Sequence, residues 1–95
     1  MPSVTHSVYR AILMCSTEQE VTDFMADLLS QAEIAKAKLR WRIAQGCLEN
    51  EYSSKREAQR QHRASQDLVK RVFAAVARPG SGYRLAHSRL KGVQN

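Results

Sequence analysis

Apolar residues recur along most of this chain at spacings of three and four, the period of helices that bury one face. Positions 4, 8, 9, 11, 12 and 13 predict a short first helix from Val4 to Met14, closed at Cys15-Ser16. Thr17 opens a second, because in T-E-Q-E a capping Thr is followed three residues later by Glu20, the capping-box arrangement. Val21, Phe24, Met25, Leu28 and Leu29 follow on one side, so this helix is expected to place a face in the core. After Ser30-Gln31, the run AEIAKAKLRWRIAQGCL has no Pro and many good helix formers, which predicts a longer third helix. Ile34, Ala37, Trp41 and Leu48 lie on one side of it and Ala35, Leu39, Ile43 and Cys47 on another. A helix wrapped in apolar surface needs cover from more than one direction, and in so short a chain a second subunit is a reasonable source. Lys36, Lys38, Arg40 and Arg42 interleave with these positions and reach solvent over long stems.

The polar stretch LENEYSS breaks the pattern, and S-K-R-E offers another capping box from Ser54 to Glu57. A short, polar helix over about Lys55 to Gln61 follows, with Ala58 as its one apolar position. His62-Arg63-Ala64-Ser65 is read as a turn, with Ser65 capping a fifth helix that runs to about Ala77. Within it Val69, Val72, Phe73 and Val76 share one sector, while Asp67, Arg71, Ala74 and Arg78 face the other way and Lys70 borders them. Arg78-Pro79-Gly80-Ser81-Gly82 stops this helix, and YRLAHSRL predicts a short last one. No strand-like alternation appears, so the fold class is all-α with six helices.

With 95 residues the chain is expected to be a single domain, near the size where burial only just outweighs chain entropy. Its 43% hydrophobic and 25% charged residues are ordinary for a globular protein, which argues against a disordered chain. MPSVTHSVYR lacks a basic segment followed by a long apolar run, and no stretch is long enough for a membrane helix; a cytoplasmic protein is expected. Cys15 and Cys47 lack metal or redox spacing and read as free thiols.

Charge changes the picture more. Residues 1–54 carry five basic against seven acidic side chains, a net −2, whereas residues 55–95 carry ten basic against two acidic, a net +8. The C-terminal part is therefore the candidate for binding a polyanion. Two short helices joined by a tight turn, the second capped and outwardly basic, meet the needs of a helix-turn-helix that enters the DNA major groove. On that reading Arg63, Gln66, Lys70 and Arg71 lie near base edges and Lys55, Arg56 and Arg60 near phosphates. Ser65 holds the start of the reading helix, Asp67 can accept from cytosine N4, and Arg78 continues the basic face. Enzyme and metal chemistry find little support, since His6, His62 and His87 are scattered and no triad or metal spacing occurs; no cofactor is expected. Trp41 could stack on a single-stranded base, but its apolar helix makes core packing the stronger reading.

The runs AEIAKAKLRWRIAQGCL, SSKREAQRQHRASQDLVKRV and GSGYRLAHSRL resemble the Trp repressor superfamily, especially its small members without a known tryptophan response. The matching positions are Arg40, Arg42 and Ile43; Ser54, Arg56 and Glu57; Ala64-Ser65; and Arg71, in a span from about Ala11 to Leu90. The resemblance implies an intertwined, all-helical homodimer that regulates transcription on double-stranded DNA. Dimerisation and core helices would occupy 4–50, the helix-turn-helix 54–78 and a C-terminal helix 82–91. Three features depart from the family. Arg63 stands where the turn usually has Gly, at a cost of about 1 kcal/mol if the backbone is left-handed. Ala58 and Gln59 replace Ile and Ala, and the segment from Leu48 to Ser54 is about two residues longer than the usual loop and lacks its Gly. Arg40 and Arg71 match two tryptophan-holding arginines, but Leu68, Val72 and Ala75 replace Thr, Gly and Ser. Bulk replaces space and hydroxyls, so L-tryptophan is not expected to bind. The alternative is a helical dimer that serves as a protein-interaction adaptor, or binds nucleic acid without reading its sequence.

Overall fold

The computed structural model describes residues 5–93, which form six α-helices and no strand. These are α1 (Val8–Met14), α2 (Glu18–Leu28), α3 (Gln31–Leu48), α4 (Lys55–His62), α5 (Gln66–Ala77) and α6 (Gly82–Val93). No described helix is long and apolar enough to cross a membrane. Cys15 and Cys47 are free, half-buried thiols.

The chain divides into two compact units at Ala35 and Lys36, inside α3. In the first unit, local side-chain bonds decide where helices start. The first helix begins later than its apolar pattern suggests, because the Ser7 Oγ accepts from the Arg10 amide at 3.0 Å and caps there; Val4 lies outside the described residues. Thr17 Oγ1 accepts from the Glu20 amide at 3.1 Å, and Glu20 Oε1 accepts from the Ser16 amide at 2.6 Å. An unforeseen box opens α3: the Ser30 amide donates to Glu33 Oε1 at 2.9 Å and the Glu33 amide to Ser30 Oγ at 3.2 Å. The expectation that α2 buries a face is not met within this chain. No residue of α1 or α2 is buried, and Tyr9, Leu13 and Met14 are 75%, 77% and 70% exposed.

The second unit contains the core: Ile43 and Ala44 of α3, Ala58 of α4, and Val69, Val72 and Val76 of α5. The stripe read from α5 points inward as expected, with Phe73 half-buried at its edge. Ala58, the one apolar residue of α4, is fully buried and anchors that polar helix. Trp41 packs at the core margin, its ring 6.3 Å from that of Tyr83.

Helices α3 and α4 end in the same way, each closed by a residue in the left-handed region. Asn50 (φ 57°) follows α3, where the Glu51 amide donates to Gly46 O at 2.9 Å and the Asn50 amide to Cys47 O at 3.2 Å. Arg63 (φ 52°) follows α4, where the Ala64 amide reaches Gln59 O at 3.1 Å and the Arg63 amide Arg60 O at 3.4 Å. Both are Schellman closures that satisfy orphan carbonyls, built without the glycine usual at that position. His62, read as part of the turn, is the last residue of α4, so the turn is Arg63-Ala64-Ser65.

The last helix is longer than its pattern suggested and is tied back to the unit by polar contacts. Arg84 Nε donates to Val76 O, His87 Nε2 to Glu49 Oε1 at 2.6 Å, and Lys91 Nζ lies 3.4 Å from the same oxygen. The bond from His87 is the main reason the Glu49 carboxyl is held below its ordinary 4.5, with Lys91 reinforcing it.

Candidate nucleic-acid interface

The start of α4 is set by Ser54, whose Oγ accepts from the Glu57 amide at 3.2 Å. Only this half of the expected box forms, since the Glu57 carboxylate turns away to Arg60 Nη2 at 2.9 Å and Gln61 Nε2 at 3.2 Å. Ser65 caps α5 as read from the sequence, its Oγ accepting from the Leu68 amide at 3.1 Å. With three valines of α5 buried against α3 and α4, the helix phase leaves Gln66, Asp67, Lys70, Arg71 and Ala74 exposed.

The outer faces of α4 and α5 form a groove of about 370 Å³ lined by Lys55, Arg56, Gln59, Gln66, Val69 and Lys70. Four of the ten residues singled out in the sequence thus meet at one place. Among the described residues, Lys55, Arg56 and Lys70 make no ion pair, so the groove carries three uncompensated cations. Gln59 was missed, although four residues after Lys55 and three after Arg56 it had to share their side of α4.

The other six residues do not line this groove. Arg60 is paired with Glu57 at 2.9 Å, and Arg71 with Asp67 at 3.1 Å, both within their own helix. The second pair is about three-quarters exposed on both sides, a geometry worth at most ~1 kcal/mol and readily exchanged for a phosphate. Arg63 is exposed on the turn and Ser65 is engaged as the cap. Arg78 caps the opposite end of α5, on the order of 12 Å along the helix from Lys70. It is not brought to the groove.

A second recess lies between α3 and α5. Lys36, Arg40, Ser65, Asp67, Leu68 and Arg71 line one part of about 210 Å³, and Arg40, Arg71, Val72, Ala75 and Tyr83 an adjoining part of about 190 Å³. Lys36, Arg40 and Arg71 set three cations against the single carboxylate Asp67 beside the positive end of the α5 dipole, a favourable field for an anion. Lys36 and Arg40 stand four apart on α3, but nothing in their spacing says that they face α5.

Neither a family model, nor a curated protein, nor a solved structure matches the chain. The chemistry therefore has to be argued from the groove itself. The groove between α4 and α5 offers cations and side-chain amides.

Proposed function

We propose that this chain is a sequence-specific DNA-binding transcriptional regulator of the Trp-repressor-like kind, working as a homodimer, with α4 and α5 as a helix-turn-helix and α5 in the major groove. The observation that carries this reading is the groove of about 370 Å³, in which Lys55, Arg56 and Lys70 are unpaired and Gln66 stands at the capped start of α5. Gln66 and Lys70 meet base edges, where Gln pairs with adenine and Lys with guanine acceptors. Lys55, Arg56 and Arg60 meet phosphates, and Arg71 joins Gln66 and Lys70 at base edges once Asp67 releases it. A second copy of the chain supplies cover for the apolar side chains of α1 and α2, which this chain leaves unburied.

The test is a titration of the wild-type protein against a randomised duplex pool, followed by the variants Lys70→Ala and Arg71→Ala. Selection of a consensus, with weaker binding by both variants and an unchanged dimer, supports the reading. Loss of the dimer in either variant would show that these side chains belong to an interface between chains. The exposed Asp67–Arg71 pair favours one second reading, binding without sequence readout, because it occupies the residue best suited to guanine. That reading predicts steep loss of affinity with salt and no selected consensus.

A further inference from the structure

Tyr52 lies in the loop between α3 and α4 and touches all three helices of the α3–α5 assembly. On α3, it covers Gly46 so closely that a Cβ there would fall on the phenol oxygen and ring. On α4, its hydroxyl is 2.6 Å from His62 Nε2, with the imidazole edge-on to the ring at a centroid distance of 5.8 Å. On α5, its ring is 6.2 Å from that of Phe73. Burial, with the neighbouring Glu51 and Cys47, pushes the phenol's pKa up, so the hydroxyl stays protonated and pairs with the imidazole nitrogen in a direction set by the ring's tautomer.

This contact sits between two left-handed backbone positions. The loop leaves α3 through left-handed Asn50, and the turn after His62 passes through left-handed Arg63. A non-glycine residue there needs surrounding contacts to hold it. His62, directly before Arg63, is held by the phenol.

We propose that Tyr52 is a positioning residue, which locks the α4–α5 pair onto α3 and so sets the direction in which α5 presents Gln66, Lys70 and Arg71. Its consequence for DNA rests on the function proposed above; its consequence for helix orientation does not. Gly46 is the complementary part, present because any side chain would expel the phenol.

Four variants of the full chain test this. Tyr52→Phe removes only the hydroxyl, Gly46→Ala puts a methyl group where the ring lies, Tyr52→Ala removes the ring, and Tyr52→Ala with Gly46→Ala removes the conflict. Residual dipolar couplings of α3, α4 and α5 amides report orientation, and ¹⁵N shifts report the state of the His62 ring. In wild type, the Tyr52 hydroxyl is expected to set the His62 Nε2 shift. Tyr52→Phe is expected to move that shift, leave the His87 shift in place, and rotate α4 and α5 relative to α3. Discrimination between a selected and a random duplex is expected to fall about fivefold, the scale of one neutral hydrogen bond, with the salt dependence on random duplex unchanged. Gly46→Ala is expected to lower the melting temperature alone and to raise it in the Tyr52→Ala background, where the methyl meets no ring and Ala is the better helix former. Couplings that superimpose across wild type, Tyr52→Phe and Gly46→Ala would overturn the proposal even if DNA binding changed. A wild-type chain that binds no duplex overturns the function proposed above, and the couplings still decide the role of Tyr52.

Discussion

Replacing Arg63 by Gly should make the protein more stable and a poorer DNA binder at once. Arg63 is held at φ 52° and ψ 40°, where an L side chain crowds the following carbonyl at a cost of roughly 1–2 kcal/mol. Glycine avoids that cost but loses about 0.4–1 kcal/mol through its freer unfolded chain. The side chain itself is exposed and in no ion pair, so its removal costs little. The central net gain is about 0.8 kcal/mol, or roughly 3–6 °C in melting temperature for a domain of this size. Arg63→Ala separates backbone from side chain: it keeps the left-handed cost and should melt within a few degrees of wild type. Loss of this exposed cation from the turn should weaken duplex binding in both variants and lower the slope of log affinity against log salt by at most about 0.9. Calorimetric melting and anisotropy titrations at three salt concentrations measure these quantities. Equal melting temperatures for the Gly and Ala variants, or a lower one for Gly, would refute the argument that a strained turn residue is being tolerated.

Two further outcomes can be measured directly. Because Glu49 is held below its ordinary 4.5 when folded, chiefly by the bond from His87, its contribution to stability is complete above that value and disappears as pH falls through the depressed folded value. Glu49→Gln should therefore be less stable than wild type at neutral pH and converge with it in acid, in urea melts taken from pH 7 down to about pH 3. L-tryptophan should give no heat of binding in calorimetry, since Leu68 and Val72 fill the recess beside Arg40 and Arg71 with bulk and the Ser65 hydroxyl there is engaged as the α5 cap; micromolar affinity would show that the recess opens further than its packing suggests.

Most of the helices were legible because their causes are local. Thr17, Ser54 and Ser65 each bond an amide three residues on, and the 69, 72, 76 spacing of α5 assigns its buried and exposed sides before any neighbour is known. The outward side of α5 followed from that phase, whereas Lys55, Arg56, Gln66 and Lys70 share one groove only because of how α4 packs against α5. Partner choice along a helix was less legible. Glu57 sits correctly for a capping box, yet its carboxylate bonds Arg60 and Gln61, an alternative that the same spacing permits.

What the sequence by itself determined is thus the helices, their caps and the outward side of α5, all governed by interactions within about four residues. What only the tertiary structure decided is which of α3's two apolar sides is buried at Ile43 and Ala44, and that Tyr52 bridges Gly46, His62 and Phe73. Those contacts depend on where the backbone turns at Asn50, a type that visits the left-handed region, and at Arg63, a type that does not announce it. Periodicity fixes the phase of a helix about its own axis. The direction in which the next helix departs is set by the few dihedrals between them, and packing on both sides selects those.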